Sequence, residues 1–293
     1  MMKKTTNIGM IGTLLCLAGL CLMLSAGAGK LDAASMRLVG VDARLVSEAK
    51  TIVAGQTFTI ALSLKHKDEY HTYWKNPGTV GVATMLDWVL PKGFKAGKIQ
   101  WQVPERVTMV IYNTHGYAGD TWLLVDITAP EELPEGDYSL KARAAWMTCA
   151  EKNCCNVAFQ DLQVSVKAGA QKQWNEPVRK KIKAARSKLP KPLDGWTYSA
   201  SREGEWVTLK VKSDKDLAVE VKDKLYFYSA LSYVDTTAAQ QMSVKGDELT
   251  VKFKINSVAL DKKLEAVEGL FYHPDGWPGS GGQKYMPLAT LLK

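Results

Sequence analysis

Apolar and polar residues alternate with a period of two along much of this chain. The longest runs are Thr57-Phe58-Thr59-Ile60-Ala61-Leu62-Ser63-Leu64, Tyr138 to Trp146 and Val157 to Val166, with shorter ones at Leu86 to Leu90 and Trp122 to Ile127. Successive side chains of an extended backbone point to opposite faces, so each run reads as a strand with one face buried. Turn signals separate the runs: Ala54-Gly55, Asn76-Pro77-Gly78, Pro91-Lys92-Gly93 and Pro134-Glu135-Gly136-Asp137. Many short strands with regular turns predict an antiparallel sandwich of immunoglobulin-like size.

The period changes between Gln171 and Leu189. Trp174, Val178, Ile182, Ala185 and Leu189 recur at helical spacing. Asn175 offers a cap, and Pro177 falls in the first turn, where its missing N–H is harmless. Arg179, Lys180, Lys181, Lys183, Arg186 and Lys188 load the later turns, which suits the helix dipole, and Pro190 and Pro192 end the helix. Its thin apolar stripe predicts a linker packed on a domain edge rather than a membrane-surface helix. Strand patterning then resumes at Trp206 to Lys212, Leu225 to Tyr228, Leu249 to Ile255 and Val267 to His273, followed by a Pro/Gly-rich tail through Gly282. The expected fold class is all-β: two immunoglobulin-like β-sandwich domains, 29–168 and 193–293, joined by a helical linker over 169–192.

The amino terminus sets the compartment. Met1-Met2-Lys3-Lys4 is basic, Ile8 to Leu24 is apolar apart from Gly and Thr, and Ala26-Gly27-Ala28 supplies small residues. This pattern predicts a secretory signal peptide over 1–28, cut after Ala28, and hence a periplasmic protein. The alternative is an uncleaved membrane anchor, since the apolar run nearly reaches the length that spans a bilayer. The formal net charge is +8, and loss of Lys3 and Lys4 would leave 36 − 30 = +6. The basic residues are spread among apolar ones as on solvated strand faces. They form no basic–aromatic platform or recognition motif, which argues against nucleic-acid binding.

Of five cysteines, Cys16 and Cys21 lie in the signal segment, leaving Cys149, Cys154 and Cys155 crowded between two strand patterns. Export brings them to an oxidising compartment where a disulfide persists, and the odd number leaves one thiol over. Three uses fit the spacing. A reversible disulfide needs an attacking thiolate and a second sulfur to resolve the mixed disulfide; Lys152 would favour a thiolate and Glu151 oppose it. A plain disulfide would staple the loop, although closing so short a loop stabilises little. Soft-metal binding, to Cu(I) or Zn(II) with help from Met147 or a histidine, is the third, but the four-ligand spacing of structural zinc is missing. His71 reads as a hydrogen-bonded structural residue where a strand enters a turn, and His115 and His273 read as loop residues. No Ser-His-Asp order, phosphate loop or paired-carboxylate motif stands out, so no small-molecule cofactor is expected.

Several ordered motifs resemble a known family. His71-Thr72-Tyr73-Trp74-Lys75-Asn76-Pro77-Gly78, Leu86-Asp87-Trp88-Val89-Leu90-Pro91, Ile99 to Arg106, Tyr112-Asn113 with Gly116-Tyr117, and Trp146 leading into Cys149 are similar to the amino-terminal periplasmic region of DsbD-type thiol:disulfide interchange proteins, the branch associated with suppression of copper sensitivity (ScsB-type). The likeness is strong over roughly 36–167 and weaker beyond. It implies an immunoglobulin-like domain that takes electrons from a membrane-embedded partner and passes them to periplasmic disulfide proteins, as a component of a protein-disulfide reductase. It places the family's two active cysteines on Cys149 and Cys155, with Cys154 as the substitute for the second. The sequence ends after the second β region, so a membrane electron-transfer protein is expected on a separate polypeptide. The alternative is a non-catalytic protein- or copper-binding module with a structural disulfide. Tyr73, Trp74, Tyr112 and Tyr117 are candidates to shield the pair, while core packing is the simpler role for Trp74 and Trp88.

Overall fold

Each alternating segment forms a strand in the computed structural model, which describes residues 40–109, 112–150, 155–214, 219–222 and 224–293. The expected signal segment and Cys154 lie outside the described residues. The chain runs through β1 (Val41–Ser47), β2 (Ala49–Ile52), β3 (Thr57–His66), β4 (Tyr70–Tyr73), β5 (Met85–Val89) and β6 (Lys95–Ala96). It continues through β7 (Glu105–Met109), β8 (Tyr112–Tyr117), β9 (Thr121–Thr128), β10 (Gly136–Ala150), β11 (Asn156–Ala168) and β12 (Gln173–Trp174). Helix α1 (Glu176–Ser187) follows, then β13 (Trp196–Glu203), β14 (Trp206–Ser213), β15 (Tyr226–Ser229), β16 (Gln241–Lys245), β17 (Glu248–Lys254), β18 (Ala266–Tyr272) and β19 (Tyr285–Leu291).

Among the described residues the fold is all-β apart from this helix and a short 3-10 turn at Ser257–Ala259. Among the described residues the strands form four sheets. The first has the order β1-β3-β9-β6; the second runs β12-β2-β11-β10-β4-β8-β7, with β5 also paired to β10. The third is β13-β14-β17-β16 and the fourth β15-β18-β19. The spine of the second sheet is the hairpin β10/β11, antiparallel from Gly136↔Ala168 to Thr148↔Asn156. The end of the hairpin beyond Thr148↔Asn156 carries Cys149 and Cys155.

Phe58, Ile60, Leu62 and Leu64 of β3 and Leu123, Val125 and Ile127 of β9 meet Leu140, Ala142, Ala144 and Trp146 of β10 in one core. Val207, Leu209 and Val211 of β14 and Val251 and Phe253 of β17 pack on Phe227, Phe271 and Met286 in a second. Burial of each Leu, Ile, Val, Phe or Met side chain here contributes about 1.5–3 kcal/mol, and each alanine less. Strand β3 is buried on both faces over much of its length. The reason is α1: Ile182 and Ala185 cover Ala61 and Leu124 on the outer face of the first sheet.

Hydrogen bonds join the first two sheets to the last two. Asn76 Nδ2 donates to the carbonyls of Ser229 at 2.8 Å and Leu231 at 2.9 Å. Thr79 N–H donates to Thr236 Oγ1 at 2.9 Å, and Tyr285 O–H to the Pro104 carbonyl at 2.9 Å.

Three local expectations differ from the structure. The helix spans Glu176–Ser187 rather than Gln171 to Leu189, and Asn175 stands at its N-cap without a side-chain cap bond. Trp174 lies before it, in β12, with the Arg179 guanidinium 4.1 Å from its ring centroid. Strand β19 extends the chain beyond the Pro/Gly-rich tail. It sits at a sheet edge, where Pro287 is tolerated because a missing N–H breaks no ladder bond there.

Candidate functional site

A disulfide joins Cys149 and Cys155, with their Cα atoms 4.3 Å apart. The hairpin register delivers them: Thr148↔Asn156 is the last ladder pair, and the two cysteines are the next positions outward. Cys149 is buried in β10, whereas Cys155 is exposed just before β11. Cys149 thus falls within β10, which runs on through Ala150, while Cys155 stands outside both strands.

The other edge of β10 shapes the buried sulfur's surroundings. Strand β4 pairs with it through Cys149↔His71 and Ala150↔Tyr70. His71 thus faces Cys149 across the ladder, and Tyr73, two residues on, shares that face. Tyr73 is fully buried and donates its O–H to Cys149 Sγ at 2.9 Å. Burial pushes the Tyr73 hydroxyl up to about 12, so it keeps its proton at neutral pH. Gly81 makes room for the ring: its φ is +109°, and a Cβ there would stand 2.5 Å from Tyr73 Cε1.

His71 packs edge-on against Tyr73, with ring centroids 5.2 Å apart. It is buried, and burial lowers its pKa. Its Nε2 has no hydrogen-bond partner among the described residues. At Nε2, therefore, the hydrogen bond expected of a structural histidine is not made among the described residues.

On the opposite side of β4, Thr72 Oγ1 lies 2.9 Å from His66 Nε2. His66 Nδ1 lies 2.9 Å from the Gly119 carbonyl, so Nδ1 carries the proton and Nε2 accepts from Thr72. Burial brings the His66 pKa down to about 4.

The candidate shielding aromatics separate. Tyr73 reaches the sulfur, while Trp74 and Tyr117 sit in the core. Trp88 packs at the edge of that core and Tyr112 is half-buried. Met147, a candidate helper for a soft metal, is half-buried on β10. Among the described residues no group of three or more His, Cys, Asp or Glu is placed to hold a metal ion.

His115 is not a loop residue but a buried member of β8, because β7/β8 form a hairpin across its position. Its Nδ1 faces the Asn76 carbonyl at 3.1 Å and its Nε2 the Tyr226 hydroxyl at 3.0 Å. Burial brings its pKa down to about 4. His273 follows β18 and is also buried, with its ring 5.4 Å from Trp277.

Residues 42–167 match the family model of the N-terminal domain of the thiol:disulfide interchange protein DsbD. Among solved structures, the N-terminal periplasmic domain of ScsB from Proteus mirabilis matches with a TM-score of 0.61 at 14% identity, covering 87% of this chain and 94% of that one. AvmM, described as catalysing macrocyclization in alchivemycin A biosynthesis, matches with a TM-score of 0.26 at 12% identity over 45% of this chain and 90% of its own. The sporulation control protein Spo0M from Bacillus subtilis matches with a TM-score of 0.22 at 10% identity over 86% of this chain and 90% of its own. Those two scores are too low to bear on fold or function. No curated protein matches the chain by sequence. No helix among the described residues is long and apolar enough to cross a membrane. The chain thus resembles the amino-terminal periplasmic region of DsbD-type thiol:disulfide interchange proteins of the ScsB kind, and its residues 42–167 match that family's amino-terminal domain.

Proposed function

We propose that Cys149 and Cys155 form a thiol–disulfide exchange centre that passes electrons between a membrane-embedded reductase partner and periplasmic disulfide proteins. The observation that carries this reading is the asymmetry of the bond. One sulfur belongs to an exposed residue and the other is buried against a hydroxyl donor. An incoming thiolate attacks the sulfur it can reach, that of Cys155. Cys149 then departs as a thiolate, and the Tyr73 O–H is already directed at it. A hydrogen bond to the charged form stabilises the leaving group and favours exchange.

The match of residues 42–167 to a thiol:disulfide interchange family supports the same chemistry. The signal peptide over 1–28 would place the site in the periplasm, and the electron donor would be a separate membrane protein. We further read the chain as two β-sandwich domains, 29–168 and 193–293, with 169–192 as a helical linker and the cysteines in the first; each has a core of its own, and Tyr228 and Leu270 of the second also pack into the first. In this reading Cys154 is the substitute partner for Cys149 and takes no part while Cys155 is paired.

Equilibration of the purified protein in glutathione or dithiothreitol redox buffers, with thiol alkylation as readout, tests the proposal. An exchange centre titrates near the potential of periplasmic reductants. A bond that remains oxidised below about −300 mV is a structural staple, and that result would remove exchange as the function.

A further inference from the structure

We infer that His71 is the proton acceptor for Cys149 when the reduced pair resolves a mixed disulfide. This inference rests on the exchange reading above and assigns a role to a residue that reading leaves unused.

Three observations place His71 there. It is the direct cross-strand partner of Cys149, and such pairs hold their Cβ atoms about 4.5–5.5 Å apart on one face. Tyr73, on the same face of the same strand, already reaches Cys149 Sγ, and its ring contacts that of His71. The His71 Nε2 is buried without a hydrogen-bond partner among the described residues. A buried imidazole nitrogen left unpaired is costly, so its retention beside a reacting sulfur calls for a use.

The cycle balances as follows. In the dithiol form the exposed Cys155 thiolate attacks a partner disulfide, forming a mixed disulfide and releasing one partner thiolate. The buried Cys149 thiol gives its proton to His71 Nε2. The Cys149 thiolate attacks Cys155 Sγ, the intramolecular S–S bond forms, and the second partner sulfur leaves as a thiolate that takes the proton from His71. The pair loses two electrons and the partner disulfide gains them. Tyr73 cannot be the base, because burial holds its phenol protonated; it can only donate to the same sulfur. The titratable groups around His71 among the described residues are Tyr73 on β4, Cys149 on β10 and, behind Thr72, His66 on β3. Burial keeps His71 neutral and able to accept.

Stopped-flow reaction of the reduced full chain with oxidised glutathione, quenched and read by mass spectrometry, separates the two steps. His71→Gln and His71→Phe should leave formation of the Cys155–glutathione adduct near the wild-type rate. Its resolution should slow by about 100-fold, so that the adduct accumulates. Resolution at the wild-type rate in either folded variant overturns the inference and leaves the exchange reading standing. A wild-type chain that forms no adduct overturns both. Should both variants fail to fold, the His71 imidazole of the wild type is titrated by NMR. A titration that differs between dithiol and disulfide forms supports the coupling, and superimposable curves overturn it.

Discussion

Tyr73 donates its phenolic proton to Cys149 Sγ at 2.9 Å, from a strand that pairs with the cysteine's own. The contact selects between the two sulfurs of the disulfide, since it stabilises negative charge on the buried one.

Tyr73→Phe keeps the ring and removes the donor. A hydrogen bond of this kind is worth about 1 kcal/mol, or roughly a 5-fold change in an equilibrium. The Cys149 thiol should ionise less readily, and the reduced pair should become a stronger reductant by a similar factor. Alkylation of Cys149 at pH 7 in a Cys155→Ser background checks this, with about a 5-fold slower reaction expected. An unchanged rate would show that the hydroxyl does not act on the thiolate.

Asn76 ties the loop after β4 to the last two sheets. It is 2% exposed, and its amide serves the Ser229 and Leu231 carbonyls together. Asn76→Ala removes both bonds; the Leu231 carbonyl keeps the Ser229 hydroxyl as a donor at 2.8 Å, so the cost falls mainly on the Ser229 carbonyl and a loss of about 1–3 kcal/mol in urea unfolding is expected. Asn76→Asp should be at least as disruptive, because a carboxylate has no donor to offer either carbonyl.

Much of this architecture was legible from alternation alone. The runs at 57–64, 138–146 and 157–166 all became strands, because a half-buried strand imposes period two directly on its sequence. Strand β19 was not legible, since Pro287 reads as a breaker until its edge position is known. The double burial of β3 was hidden for a similar reason: Ala61 looks like a neutral outer-face residue until α1 is laid over it. At the site, the cysteines announced themselves by spacing and resemblance. The roles of His71 and Tyr73 depend on the Cys149↔His71 register across a long sequence gap, which no local pattern encodes. His115 shows the same limit, for its partner Tyr226 is 111 residues away.

Acid should destabilise the oxidised protein through its buried histidines. The folded state keeps His115 neutral down to about pH 4, whereas the unfolded chain takes up that proton near 6.5. Between these values the unfolded state binds more protons, so stability rises with pH across the window and is lost as pH falls through it. His115 alone accounts for about 3 kcal/mol, and the more accessible His66, also brought down to about 4, adds a smaller amount. Urea unfolding at pH 7 and pH 4 measures the loss. His115→Gln should start less stable at pH 7 and lose about 3 kcal/mol less on acidification. An equal acid loss in both proteins would show that His115 titrates alike folded and unfolded.

The docking of α1 separates packing from charge. Ile182 is 1% exposed and sits against Ala61 and Leu124, so Ile182→Ala leaves a cavity and should cost about 2–4 kcal/mol. Arg186 reaches Thr59 Oγ1 at 2.8 Å and Asp126 Oδ1 at 3.4 Å, but the Arg186 and Asp126 side chains are 43% and 39% exposed. Water and salt weaken a pair in that setting, and Arg186→Ala should cost no more than about 1 kcal/mol. Urea unfolding of the two variants at low and high ionic strength decides the order. If apolar contact holds the helix, Ile182→Ala is the more harmful at both salts and only the Arg186 effect shrinks as salt is added. A larger loss for Arg186→Ala would mean instead that the basic face of α1, not its buried stripe, anchors it to the first sheet.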